Sequence, residues 1–270
     1  MKKVLTIAGS DSGGGAGIQA DLKTFCAHGV FGMSVITAVT AQNTMEVLAV
    51  QDVKPDIIGK QIDAIYQDMG TDAVKIGMVS KIESIKIIAE KLKEYKPNNI
   101  VLDPVMISKS GYALLDPKAT ETLIEELMPL ANVITPNIPE AERIIGEKIN
   151  SLEEAEQAAK KIHLLCGSNV LVKGGHLFGK STDILFDGDS IYRYESERII
   201  TKNTHGTGCT LSSAIASNLA LGCSVTEAAD RAKKYIAIAI EHAMPIGKGI
   251  GPVNHFYELY KNAGMITESE

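Results

Sequence analysis

Residues 204–210 read Thr-His-Gly-Thr-Gly-Cys-Thr, and an apolar helical pattern begins directly behind them. Glycine lets a main chain close on an anion without interference from a Cβ. The N–H groups and dipole of a helix N-terminus then favour a phosphate at that point. Cys209 stands where a proton-accepting group could face whatever is being phosphorylated. The segment points to phosphoryl transfer. A helix N-terminus favours a thiolate and a bound polyphosphate opposes one, so the protonation state of Cys209 stays open at this level.

Other residues could share that chemistry. Gly9-Ser10-Asp11-Ser12-Gly13-Gly14-Gly15-Ala16-Gly17 places five glycines within nine residues, more than one tight turn requires. It is neither a Walker A loop, lacking Gly-Lys-Ser/Thr, nor G-x-G-x-x-G, since Ile18 stands at the third glycine. Asp103 follows an apolar run, where it either caps a turn beside Pro104 or does chemistry. Asn137 and Glu140 follow another run. Their oxygens could hold magnesium, chiefly through water, or cap the next helix. Lys173 ends a strand pattern, a costly place for an ammonium without a partner, so a phosphate or an ion pair is expected there. Lys75 ends its run in the same way and reads as a structural ion pair. His205 reads as a capping or packing residue, and Cys26, Cys166 and Cys223 as buried small hydrophobes.

The elements that must position these residues are legible from periodicity. Strands are expected at 4–8, 34–40, 73–76, 100–102, 133–134 and 170–173, and antiparallel strands or hairpins within 181–200. Helical spacing covers 18–28, 58–69 (with Gly70 as the stop) and 82–95, which ends before Pro97. Asp116-Pro117 reads as an N-cap followed by proline at the first helical position. Ser151 with Glu154 and Ser224 with Glu227 form capping boxes for the helices that follow. Alternation of this kind predicts an α/β fold with a mainly parallel sheet and helices on both faces. Ligands then bind at the carboxyl ends of the strands. No linker, charge block or repeat divides the 270 residues, so one domain over 1–270 is expected.

Composition narrows the function classes. Apolar residues make up 45% and charged residues 22%, ordinary for a soluble globular protein. A net charge of -6 argues against nucleic acid or an anionic membrane as the main partner. The four cysteines show no zinc-ligand spacing, and free thiols in the cytoplasm are expected. The apolar run at 4–8 is too short for a signal peptide.

In combination, residues 8–21, Ala-Gln-Asn-Thr (41–44), Lys-Ile-Gly-Met (75–78), Leu-Asp-Pro-Val-Met (102–106), Thr-Pro-Asn-Ile-Pro-Glu (135–140), Lys-Gly-Gly-His (173–176), the 204–210 turn and Gly-Lys-Gly-Ile-Gly-Pro-Val (247–253) resemble the hydroxymethylpyrimidine/phosphomethylpyrimidine kinases of the ribokinase-like superfamily. The resemblance runs from Val4 to about Phe256. It implies a three-layer α/β/α fold, ATP and Mg2+, a homodimer, and successive phosphorylation of a hydroxymethylpyrimidine to its mono- and diphosphate. By the same resemblance, Gln42, Gly9, Asp21, Met78 and Val105 bind the pyrimidine, and Lys173 and Lys248 contact the nucleotide. Asp103, Asn137 and Glu140 organise the metal, and Gly206, Thr207, Gly208 and Cys209 form the catalytic anion hole. Many sugar kinases of the superfamily place aspartate where Cys209 stands. Gln42 also has a physical warrant, because a carboxamide donates and accepts and can pair with an amino group beside a ring nitrogen. That suits an aminopyrimidine better than pyridoxine, whose kinases are the nearest alternative.

Overall fold

β1 (Lys3–Asp11) is buried along nearly its whole length, as a central parallel strand covered on both faces must be. It lies in the interior of the sheet, third of nine strands, in a computed structural model that describes residues 1–106, 118–175 and 180–266. The other strands are β2 (Phe31–Gln42), β3 (Val47–Asp52), β4 (Ala73–Ile76), β5 (Ile100–Leu102), β6 (Val133–Ile134), β7 (Asn169–Val172), β8 (Ser181–Phe186) and β9 (Ile191–Ser196). Their order across the sheet is β3-β2-β1-β4-β5-β6-β7-β8-β9. Strands β2, β1, β4, β5, β6 and β7 pair in parallel, and both edges turn antiparallel, through β3 on one side and the β8–β9 hairpin on the other.

Helices cover both faces. One face packs Ile58 and Ile62 of α2 (Pro55–Asp68), Ile85 and Ile88 of α3 (Ile82–Tyr95), Ala141 of α5 (Ile138–Ile145) and Ala158 of α6 (Leu152–Cys166). The opposite face packs Phe25 of α1 (Gly17–Ala27), Ala214 and Ile215 of α7 (Thr207–Ala220) and Ala232 and Ile236 of α8 (Val225–Glu241). α4 (Ala119–Thr122) continues into a π turn and a 3-10 turn, and α9 (Tyr257–Asn262) follows the last loop. The result is the expected three-layer α/β/α arrangement.

Several local expectations change on contact with the structure. Ser151 caps α6 through the Glu154 N–H, but Glu154 reaches back to the Asn150 N–H rather than to Ser151, so that box is half formed. Both legs are present at Ser224 and Glu227. Cys26 is exposed, and Cys166 and Cys223 are half-buried, a correction to the reading of all three as buried. α1 turns Phe25 inward, so the adjacent Cys26 points out. β3 and α9 were not anticipated, because β3 is an edge strand with Leu48, Ala49 and Gln51 exposed and α9 buries none of its residues. Asp116 and Pro117 lie outside the described residues. Among the described residues no helix is long and apolar enough to cross a membrane.

Candidate active site

Strand ends of β1, β4, β5, β6 and β7 open into one cavity of about 410 Å³. This is the carboxyl edge of the sheet, where parallel α/β folds bind ligands. It extends from Gln42, at the end of β2, to the β8–β9 side, where Asp183, Arg198 and Ile199 face Lys233, Ile236 and Ile240 of α8.

The floor is the start of α7. Gly206 is its N-cap at φ 81°, and a Cβ there would stand 1.8 Å from the Gly15 carbonyl oxygen, so only glycine fits. Thr210 N–H closes the first turn on the Gly206 carbonyl at 2.9 Å, which places Thr207, Gly208 and Cys209 at the first three helical positions. The Thr207 N–H reaches the Thr204 carbonyl at 3.5 Å, while those of Gly208 and Cys209 have no carbonyl within the helix to meet. A Cβ on Gly208 would lie 3.4 Å from Lys173 Nζ and 3.5 Å from Asp103 Oδ2, so a side chain there would fill the space between the helix end and the charged pair.

Lys173 Nζ and Asp103 Oδ1 are 2.7 Å apart, with Asp103 nearly inaccessible. Thr135 Oγ1 also donates to Asp103 Oδ1 at 3.3 Å. Burial alone would lower the Lys173 ammonium, but Asp103 and Glu140 hold it above its ordinary value. Asn137 caps α5, its Oδ1 accepting the Glu140 N–H at 2.9 Å while Glu140 Oε2 accepts the Asn137 N–H at 2.8 Å. Burial raises the Glu140 carboxyl, Lys173 opposing and Asp103 adding to the effect. Of this set, Asp103 Oδ2 has the weakest partner, Ser212 Oγ at 3.5 Å. Such a donor set fits a cation held mainly through water and nucleotide phosphates, not an all-protein cage.

Cys209 is half-buried on the cavity wall. Burial pushes its thiol up to about 11, Lys75 opposing and Asp21 and Asp103 reinforcing, with the Gly17 N–H directed at the sulfur. The helix end does not outweigh burial. Lys75 forms the structural ion pair anticipated for it, with Asp21 at 2.9 Å and both side chains inaccessible. Thr6 Oγ1 and Ser213 Oγ complete the carboxylate's contacts at 2.6 and 2.7 Å.

The structure therefore brings Gly9, Gln42, Met78, Val105, Asp103, Asn137, Glu140, Lys173 and the 206–209 turn to one cavity wall. Asp21 does not reach that wall, because its carboxylate is enclosed by Lys75, Thr6 and Ser213. Lys248 is exposed, on a segment whose Gly249 N–H and Ile250 N–H bond Thr44, and it does not line the cavity either.

Two features escaped the sequence reading. Asp11 bonds His205 Nε2 at 2.8 Å beside Gln42. Lys233 bonds Asp183 Oδ2 at 2.9 Å, while Asp183 Oδ1 holds the Gly174 N–H. A lysine four residues after Ala229, on the alanine-lined face of α8, was the available signal for the second.

Residues 11–254 match the model of the family described as phosphomethylpyrimidine kinase. The chain is 54% identical over 263 residues to a Rhizobium meliloti hydroxymethylpyrimidine/phosphomethylpyrimidine kinase, covering 96% of this chain and 98% of that protein. It is 54% identical over 253 residues to the thiamine biosynthesis bifunctional protein ThiED of Geobacter sulfurreducens, covering 93% of this chain but 52% of that longer protein. Among solved structures, a Clostridium difficile phosphomethylpyrimidine kinase matches with TM-score 0.80 and 55% identity, over 89% of this chain and 100% of that one. A Bacillus subtilis pyridoxal kinase in complex with ADP matches with TM-score 0.89 and 42% identity, over 95% and 98%.

Proposed function

The chain belongs to the phosphomethylpyrimidine kinase family, and from that membership we propose how its cavity divides the work. The enzyme is a hydroxymethylpyrimidine/phosphomethylpyrimidine kinase of thiamine biosynthesis: it phosphorylates 4-amino-5-hydroxymethyl-2-methylpyrimidine and then the monophosphate. ATP is the phosphoryl donor, in keeping with the ADP complex of the Bacillus subtilis relative. The nucleotide lies toward β8, β9 and α8, and the pyrimidine toward Gln42, Gly9 and Met78.

The observation that carries this reading is Gln42, a carboxamide on the wall of the same cavity as the open α7 N-terminus and the Lys173–Asp103 pair. Phosphoryl transfer needs mainly alignment and charge stabilisation. The N–H groups of Gly208 and Cys209 and the Lys173 ammonium, with Thr207 at the helix start, offer both to a transferring phosphoryl group. Magnesium, when bound, supplies charge neutralisation on the phosphates. Asp103 would hold it, with Asn137 and Glu140 fixing the loop beside it. Cys209 presents a neutral thiol to the acceptor oxygen.

One domain over 1–270 is supported by the single nine-stranded order. We also carry a homodimer as part of this reading, supported by the exposed apolar side chains Val39, Met45 and Leu48 around the β2–β3 edge. Light scattering of the purified protein tests it, a monomer mass at micromolar concentration arguing against it.

Likeness to a pyridoxal kinase makes a B6 vitamer the second reading. ADP release is to be measured with ATP and magnesium against hydroxymethylpyrimidine, its monophosphate, pyridoxine and pyridoxal. Turnover of both pyrimidines above both vitamers is expected, and turnover of the vitamers alone would transfer the assignment to B6.

A further inference from the structure

Asp11 and His205 take no part in the transfer just described, yet the imidazole stands 3.4 Å from the Gln42 carboxamide nitrogen. Asp11 Oδ2 lies 2.8 Å from His205 Nε2, and the same carboxylate accepts the N–H groups of Gly13, Gly15 and Ala16. Burial alone would raise the Asp11 carboxyl, but bonds from His205, Ala16 and Gly13 hold it below its ordinary value. An ionised carboxylate only accepts, so the imidazole nitrogen facing it carries a proton.

That proton decides which way Gln42 points. The oxygen and nitrogen of a carboxamide exchange by rotation about its last bond, and only the surrounding hydrogen bonds distinguish them. With nitrogen toward His205, two N–H groups oppose each other. The Thr40 hydroxyl proton would also be divided between the Ser10 carbonyl at 3.0 Å and the Gln42 oxygen at 3.3 Å. With oxygen toward His205, no two donors face each other, and the His205 proton aimed at Asp11 has the Gln42 oxygen as its second, longer acceptor. His205 Nε2–H donates to Asp11 and to the Gln42 oxygen, a Gln42 N–H donates to Thr40 Oγ1, and the Thr40 O–H donates to Ser10 alone.

The imidazole itself has no freedom to move aside. A Cβ on Gly15 would stand 2.3 Å from His205 Cδ2, and Gly206, the next residue, closes on the Gly15 carbonyl. The His205 N–H bonds the Gly251 carbonyl at 3.0 Å.

We infer that Asp11, His205 and Thr40 are positioning residues that lock the Gln42 carboxamide with its oxygen toward His205 and its nitrogen toward Thr40. One N–H and one oxygen lone pair then remain to read the ring edge of the acceptor. An unlocked carboxamide presents donor–acceptor and acceptor–donor patterns equally well. A locked one matches a single pattern and rejects its mirror. The inference rests on the assignment of Gln42 as the ring reader.

Titration calorimetry gives the test, with dissociation constants for hydroxymethylpyrimidine and pyridoxine in wild type, His205→Phe, Thr40→Val, Gln42→Met and the two doubles with Gln42→Met. His205→Phe and Thr40→Val should each reduce the preference for the pyrimidine roughly tenfold, the scale of one mispaired polar group. Neither should reduce it further once Gln42→Met is present. A merely structural role would cost both backgrounds equally and overturn the inference, as would an intact preference in His205→Phe and Thr40→Val. Thr40→Val decides alone if His205→Phe does not fold. If Gln42→Met itself leaves the preference unchanged, the ring-reader assignment fails instead.

Discussion

Cys209 poses the sharpest question at the scale of a residue, because its place at a helix N-terminus and its burial push in opposite directions. Burial prevails and holds the thiol up to about 11, so in the proposed arrangement an S–H would face the acceptor at neutral pH. A protonated thiol is a poor base, and on the proposed reading alignment at the α7 N-terminus would then supply most of the rate. Alkylation by iodoacetamide, followed at the Cys209 peptide by mass spectrometry, should therefore keep accelerating beyond pH 9. A rate that levels off below pH 8 would show a thiolate and restore Cys209 as a base. Gly208, Lys173 and Asp103 were legible because a glycine in the first turn of a helix, or a charge at a strand end, is costly without a purpose. Asp11–His205 was not legible, since it joins residues 194 apart and His205 read by itself as a capping or packing residue. Asp21 was placed on the wall by resemblance, and nothing in its local sequence revealed that Lys75, Thr6 and Ser213 would enclose it.

Elements meet at that enclosed carboxylate. Asp21 on α1 ties Thr6 of β1, Lys75 of β4 and Ser213 of α7 together, one turn behind Cys209. Burial alone would depress the Lys75 ammonium, but Asp21, with Cys209 and Asp103 beyond it, holds it above its ordinary value. Removing one partner of a buried pair leaves the other charge without compensation, at a cost of about 3–5 kcal/mol. Lys75→Met should lose that much in urea unfolding. The double variant Lys75→Met/Asp21→Asn should recover part, because a neutral amide still accepts from one of the Thr6 and Ser213 hydroxyls and can donate to the oxygen of the other. A loss under about 0.5 kcal/mol for Lys75→Met, within the range of an ordinary surface change, would mean the pair is not what fixes α1 and β4 beneath α7. Buried strands and amphipathic helices were readable here because their periodicity is imposed by two covered faces. β3 and α9 were not, because elements packed on one side or hardly at all carry little period.

Protons act on the whole molecule with opposite signs from the two sides of the sheet. His255, buried against α7 with Nε2 3.0 Å from Thr210 Oγ1, is pushed down to about 4 by burial and by Lys23. Burial lowers His28 as well. Below the ordinary value of 6.5 the unfolded chain binds these protons more readily. Their stabilisation is therefore complete above pH 6.5 and falls as pH falls toward 4. Glu140 behaves in reverse. Burial, and Asp103 against the opposing Lys173, raise its carboxyl above the ordinary 4.5, so the folded state holds that proton more tightly and stability declines as pH rises through the raised value. The two slopes overlap between about pH 4.5 and 6.5, and each variant should expose the other. In metal- and nucleotide-free protein, Glu140→Gln should steepen the gain of stability with rising pH. His255→Gln should remove up to about 3 kcal/mol of that gain and tilt the curve the other way. Urea unfolding at half-unit pH steps reads both. Parallel curves for wild type and the two variants would show that neither side chain is titrating as its burial demands.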